Sequence, residues 1–197
     1  MLTAGQPMVA SITLRQRGRL NMSDAGNHWK PFSAVQRVVA HRAGFDWDAR
    51  VLIAPGLPVR VHDAYVAGVG QLRAAVQGLF KVADTTPLAA LSEAELMRFL
   101  AEGVWYPTAL LPSQGVVWAA VDAHSATATL HDSGHCVSLL FHFQADGLVD
   151  SVHADARAPG RWFYQCRTLA RPLLAPRRSH RHDRSAGCRG CLAPAGR

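Results

Sequence analysis

The chain has 197 residues, of which 49% are apolar, and a formal net charge of +7. That length fits one domain or at most two small ones, with enough apolar mass for a packed core and too much for a disordered chain. The charge is localised: residues 167–197 hold eight Arg and one Asp, while the first 166 residues balance 13 basic against 13 acidic side chains. A uniform nucleic-acid-binding surface is therefore not expected. No apolar run approaches the roughly 18 residues of a membrane-spanning helix, and no basic-then-apolar leader opens the N-terminus. Four cysteines are too few and too late in the chain for a disulfide scaffold.

In chain order, residues 8–22 place Ile12, Leu14, Leu20 and Met22 on one side of a period-two pattern and Arg15, Arg17 and Arg19 on the other, a half-buried strand with a solvated face. SDAGNHW reads as a turn. FSAVQRVV is a second extended piece. A third strand carries Phe45, Trp47 and Ala49 on one face and Asp46, Asp48 and Arg50 on the other, and APGLP closes it in a turn. Residues 59–83 read as one long strand. Val59, Val61, Asp63, Tyr65, Ala67 and Val69 share a face, and Gly68, Gly70 and Gly78 mark bulges, sharp curvature or the close approach of another backbone.

Residues 91–113 are the organising stretch. Ser92 is expected as an N-cap with Glu95 completing a capping box, and Leu91 with Leu96 as a hydrophobic staple. Leu96, Met97, Leu100 and Val104 form one apolar stripe. Pro107 ends the helix and pushes Tyr106 away from helical geometry. Residues 116–130 are expected to be extended, HDSGH to be a hairpin turn, 136–143 a strand and ADG a second hairpin turn, so that 116–157 make a three-stranded antiparallel meander. Cys136, inside a strand-like run, is expected to be a buried thiol. The fold class predicted is mainly β (α+β): about seven strands in a curved antiparallel sheet or half-barrel, with one main helix packed on it. A parallel sheet is not expected because no strand–helix–strand unit is present. Residues 1–166 are expected to form a single β-rich domain, and 167–197 a disordered or out-of-frame basic tail.

For chemistry, Cys188 and Cys191 with His180 and His182 could complete a tetrahedral zinc site, but the spacing is unlike a finger and little apolar sequence surrounds it. His131 and His135 flank a turn and read as surface residues. No phosphate loop, GxSxG elbow, HExxH helix or GxGxxG motif is present, and no cofactor is expected. The most site-like set is Arg50, Asp63, Arg98, Glu102 and Asp122 near Trp47, Tyr65, Trp105, Tyr106 and Trp118. Charges inside apolar segments must be paired or exposed. They form either an ion-pair network fixing helix to sheet or a ligand pocket.

The motifs GFDWDARV, VHDAYVAGVG, RFLAEGVWYPTALLPS and VVWAAVDAHSATATL together resemble a bacterial family of uncharacterised proteins, over about residues 8–160. The resemblance implies no activity, ligand or catalytic residue. Its motif positions here are Trp47, Asp48, Arg50, Asp63, Tyr65, Gly68, Gly70, Glu102, Trp105, Pro107, Leu110, Trp118 and Asp122. It also implies a helical segment before the first strand and further strands after GRW, so the chain is expected to be a shortened member. In outline the expected fold is similar to the periplasmic lipoprotein carriers, an analogy that does not fix function.

The leading expectation is a non-enzymatic protein holding an apolar small molecule or lipid under the helix, with Trp47, Tyr65, Trp105, Trp118 and Phe141 lining the sheet and Arg50, Asp63, Glu102 and Asp122 as its polar members. The alternatives are a hydrolase using Glu102 and Asp122 as acid and base with Arg50 stabilising an anion, and a truncated chain without function. Cytoplasm is the default compartment, with anchoring or export if an N-terminal segment is missing.

Overall fold

The computed structural model describes residues 9–21, 28–76 and 89–154 with their side chains, and the strand backbones 80–85, 162–164 and 192–194. Six antiparallel strands, β1 (Ser11–Asn21), β2 (Trp29–Val39), β3 (Phe45–Ala54), β4 (Leu57–Val66), β5 (Val69–Val76) and β6 (Phe80–Thr85), pair in sequence order. Helix α1 (Ala89–Glu102) follows. It runs into three short 3-10 turns, Gly103–Trp105, Pro107–Leu110 and Pro112–Gln114. A second antiparallel sheet holds β7 (Val116–Asp122), β8 (Ser125–Asp132), β9 (His135–Phe143) and β10 (Val149–Ala154) in the order β10-β9-β8-β7. Two short strands, β11 (Trp162–Tyr164) and β12 (Leu192–Pro194), pair with each other. The chain is mainly β with one main helix, as the sequence predicts, and neither sheet closes into a barrel.

The strand boundaries correct two expectations. The run 59–83 is three strands. It reverses at Ala67 and Gly68, both at positive φ (51° and 84°), in a two-residue turn of the kind that matches the strands' right-handed twist. Residues 116–130 likewise reverse at Ala123 and His124, so the meander has four strands. The expected turn before Trp29 and the tail cysteine–histidine group lie outside the described residues. Cys136 is exposed, because the alternation that buries Val137, Leu139 and Phe141 turns its even-numbered neighbours outward.

The helix also differs at its start. It begins at Ala89, so Ser92 and Glu95 are interior residues and neither the capping box nor the staple forms. Ser92 Oγ instead accepts the Gly70 backbone N–H at 2.9 Å. A Cβ on Gly70 would stand 2.8 Å from Ser92 Cα and 2.9 Å from the Leu91 carbonyl carbon, so of the roles open to a strand glycine this one marks a close approach of backbone. At the other end Tyr106 leaves helical geometry with φ −137° and ψ 66°, as Pro107 requires.

Helix α1 packs on β4 and β5 of the larger sheet and on β9 of the smaller one. A single cluster of buried residues spans all three layers. It includes Val38, Phe45, Trp47 and Tyr65 from the first sheet, Leu96, Phe99 and Leu100 from the helix, and Leu130, Leu139 and Phe141 from the second sheet. Two further contacts tie the sheets together. Tyr65 donates its hydroxyl to Asp132 at 2.7 Å. The turn at Gly68 also abuts the β8–β9 turn so closely that a Cβ there would lie 2.2 Å from Ser133 Cβ.

Candidate functional site

The candidate site grows from one polar position on each of several inward faces. Along β4, Val59, Val61, Asp63 and Tyr65 turn inward, so Asp63 enters the core between apolar neighbours. Along β2 the inward set is Phe32, Ala34, Gln36 and Val38, and along β1 Gln16 is the register partner of Ala34 on the same face. On α1, Glu95, Arg98 and Glu102 follow at i, i+3 and i+7, a polar stripe on the buried side of the helix.

These side chains form a continuous chain of contacts. Trp47 donates its indole N–H to Gln16 at 2.7 Å. Gln16 donates to Gln36 at 2.8 Å, and Gln36 donates to Glu102. Arg98 bonds Glu102 through Nε at 2.9 Å and Asp63 through a terminal nitrogen. Its guanidinium also lies 4.8 Å from the Phe45 ring centroid and 5.1 Å from that of Trp47, within cation–π reach. Gln36 is wholly buried, and Asp63, Glu95, Arg98 and Glu102 are each at most 9% exposed.

Three carboxyl groups share one buried cation here, and full ionisation of all three would leave uncompensated charge in the core. Burial, then the neighbouring Asp63, pushes the Glu95 carboxyl up to about 9. Burial also raises Asp63, against the lowering effect of Arg98. Glu95 therefore stays protonated at neutral pH and donates its proton toward Asp63. Asp63 Oδ1 and Glu95 Oε2 are both buried without another bonded partner, and they are the two atoms such a proton would serve. Arg98 thus bonds both Asp63 and Glu102, and Glu95 is held protonated beside Asp63.

Of the residues the sequence singles out, Trp47, Asp63, Arg98 and Glu102 meet in this network. Tyr65 is buried beside it but bonds to Asp132, and burial with that carboxylate raises its hydroxyl's pKa. Trp105 and Trp118 lie half-buried where α1 passes into the 3-10 turns, and Trp118 donates to the Leu110 carbonyl at 2.8 Å. Arg50 points out of the opposite face of β3. Asp122 is exposed in the β7–β8 hairpin and is held below the usual carboxylate range by hydrogen bonds from Ser125 and the His124 N–H. The structure thus separates Glu102 from Asp122, and the two share no bonded partner. Sequence reasoning missed Gln16, Gln36 and Glu95. Gln36 was signalled by its place among Phe32, Ala34 and Val38, and Glu95 by its spacing to Arg98 and Glu102. His131 and His135 do not face each other, since their ladder partners are Cys136 and Asp132.

Two open antiparallel sheets clasped by one helix over a polar core network define the class of the molecule. Within it, residues 1–163 match DUF6920, a family of unknown function, and the chain belongs to that family. No curated protein and no solved structure matches it.

Proposed function

We propose that the domain holds an apolar, lipid-like molecule without catalysing a reaction, at the corner where α1 gives way to the 3-10 turns above the smaller sheet. The observation that carries this reading is a group of half-buried apolar side chains there, Trp105, Leu110, Trp118 and Phe143, continuous with the fully buried core. The Trp118 ring centroid lies 5.1 Å from that of Phe141 and 6.3 Å from that of Phe143. Because its N–H is already taken by Leu110, the indole offers only carbon to a visitor. Trp47 and Tyr65 belong to the fully buried core and are closed to solvent.

Hydrolysis is the weaker reading. Both Glu102 oxygens are occupied, by Arg98 and Gln36, and Asp122 is engaged at a hairpin tip. A general acid and base must flank one reacting group, and these two carboxylates do not. Native mass spectrometry of the purified chain is expected to detect one bound acyl species, and a fluorescent fatty acid should bind and be displaced. Trp118→Ala with Phe143→Ala should weaken that binding by about tenfold or more, from lost apolar contact. Finding neither co-purified lipid nor fatty-acid binding would overturn the proposal.

A further inference from the structure

The outer face of the larger sheet is polarised along its strands. Toward one end, Asp46 accepts a hydrogen bond from His62 at 3.1 Å, and Arg37 lies 3.9 Å from both Asp46 and Asp48, so charge there is compensated. Toward the other end the register sets Arg50 directly opposite Arg60. Like charges in that position cost stability unless something anionic lies over them. The same ladder row continues through Ser33 to Arg17, with Arg19 two residues further along the same face of β1. All four arginines are exposed. Among the described residues, none of the four is engaged in an ion pair or a side-chain hydrogen bond. A concavity of about 340 Å³ opens between Arg50 and Arg60, walled by Gly56 and Pro58.

Beyond the arginines the chain turns apolar. Residues 51–59, VLIAPGLPV, hold no charge. Pro55 and Gly56 make the turn in open space, Gly56 at φ 73° with nothing within 4 Å of where a Cβ would stand. Leu52 is 37% exposed on the outer face. Trp29, half-buried, is paired with Asn21 at the same end of the sheet and on the same face as Arg19's partner Pro31. An uncharged tip with a tryptophan beside it and uncompensated arginines one to two ladder rows behind matches the layering of a membrane interface. There, apolar and indole groups reach the acyl boundary and guanidinium groups remain at the phosphates.

We propose that the β3–β4 hairpin end docks this domain on an anionic phospholipid surface, with Leu52, Pro55 and Trp29 entering the headgroup layer and Arg17, Arg19, Arg50 and Arg60 meeting lipid phosphates. The docking face is independent of the apolar-ligand corner, which lies on the smaller sheet, and the two are read by different assays.

The test is co-sedimentation of the full chain with vesicles of phosphatidylcholine, with and without phosphatidylglycerol, across a salt series. Binding should require phosphatidylglycerol and weaken as salt rises. Arg50→Gln with Arg60→Gln should weaken it by about 25-fold, taking about fivefold per arginine at the surface. Leu52→Asp should also abolish retention at low salt. Arg37→Gln, at the compensated end, should leave binding unchanged, and unaltered thermal melts would establish that the variants are folded. Equal binding to vesicles of phosphatidylcholine alone overturns the proposal, as does indifference to the arginine pair. Binding that survives Leu52→Asp, or that inorganic phosphate or a short oligonucleotide competes away completely, also overturns it, since the face would then be a plain phosphate site.

Discussion

Glu95 holds a carboxyl group that burial and the adjacent Asp63 keep protonated up to about pH 9, against an ordinary value of 4.5. The folded state therefore carries a proton that the unfolded chain releases above about pH 4.5. The stabilisation from this group is complete below that pH and is lost as pH rises toward 9. The raised pKa of Asp63 acts in the same direction. We expect Tm to fall as pH rises from 5 to 9 and Glu95→Gln, which mimics the neutral form and does not titrate, to flatten that fall. A Tm that climbs through this window, or a slope unchanged in Glu95→Gln, would refute the shared-proton account. Arg98→Met removes the only cation bonded to Asp63 and Glu102 in the network. It should cost about 3–5 kcal/mol in urea unfolding, because two carboxylates lose their buried partner. Legibility at this scale was uneven. Asp63 was readable as a charge inside an apolar face. Arg50 was readable as an outward residue, beside Asp46 and Asp48 on the polar face of its strand, whereas Asp122 looks like a charge inside a strand and only the hairpin at Ala123 and His124 shows that it faces solvent. Glu95 was hidden by a competing pattern, since Ser92 followed three residues later by a glutamate also writes a capping box.

At the level of elements, the contact between Gly70 and α1 decides where the helix can rest. A methyl on Gly70 would meet backbone atoms of Leu91 and Ser92 at 2.8–2.9 Å, which cannot swing away as a flexible side chain could. Gly70→Ala should lower unfolding free energy by about 1–3 kcal/mol through overpacking. Ser92→Ala should cost about 1–2 kcal/mol by leaving the Gly70 N–H without its acceptor. Chemical denaturation of both variants checks the order, and a neutral Gly70→Ala would mean that the helix is free to slide. The sequence left a bulge, sharp curvature or a close approach open at this glycine, and the packing of α1 selects the last. The sequence foretold the turns at Pro55 with Gly56 and at Ser133 with Gly134. It did not foretell the reversals at Ala67 and at Ala123 with His124. There the two-residue alternation runs on into the next strand, and alanine is not among the residues that usually announce a turn; at Ala67 it even takes positive φ. The helix start was lost for a related reason: Ala89, Ala90 and Leu91 carry no stop or start signal, so the first recognisable cap lay one turn inside.

For the whole molecule, one buried cluster joins the two sheets and α1, and we propose that residues 1–166 unfold as one domain. Tryptophans report on both halves, Trp29 and Trp47 from the larger sheet and Trp118 from the smaller. Thermal or urea unfolding followed by tryptophan fluorescence and by far-UV circular dichroism should therefore give coincident transitions. Two separated transitions would show sheets that stand apart. No helix among the described residues is long and apolar enough to cross a membrane.

The touching turns at Gly68 and Ser133 have a practical corollary for anyone who splices a tag or reporter into this domain. Hairpin tips are ordinarily the safest places for foreign peptide, and the tip at Gly147, with free space around it, should accept one. The same peptide inserted after Ala67 would act as a wedge between two halves that meet there, and it should cost the purified chain its solubility.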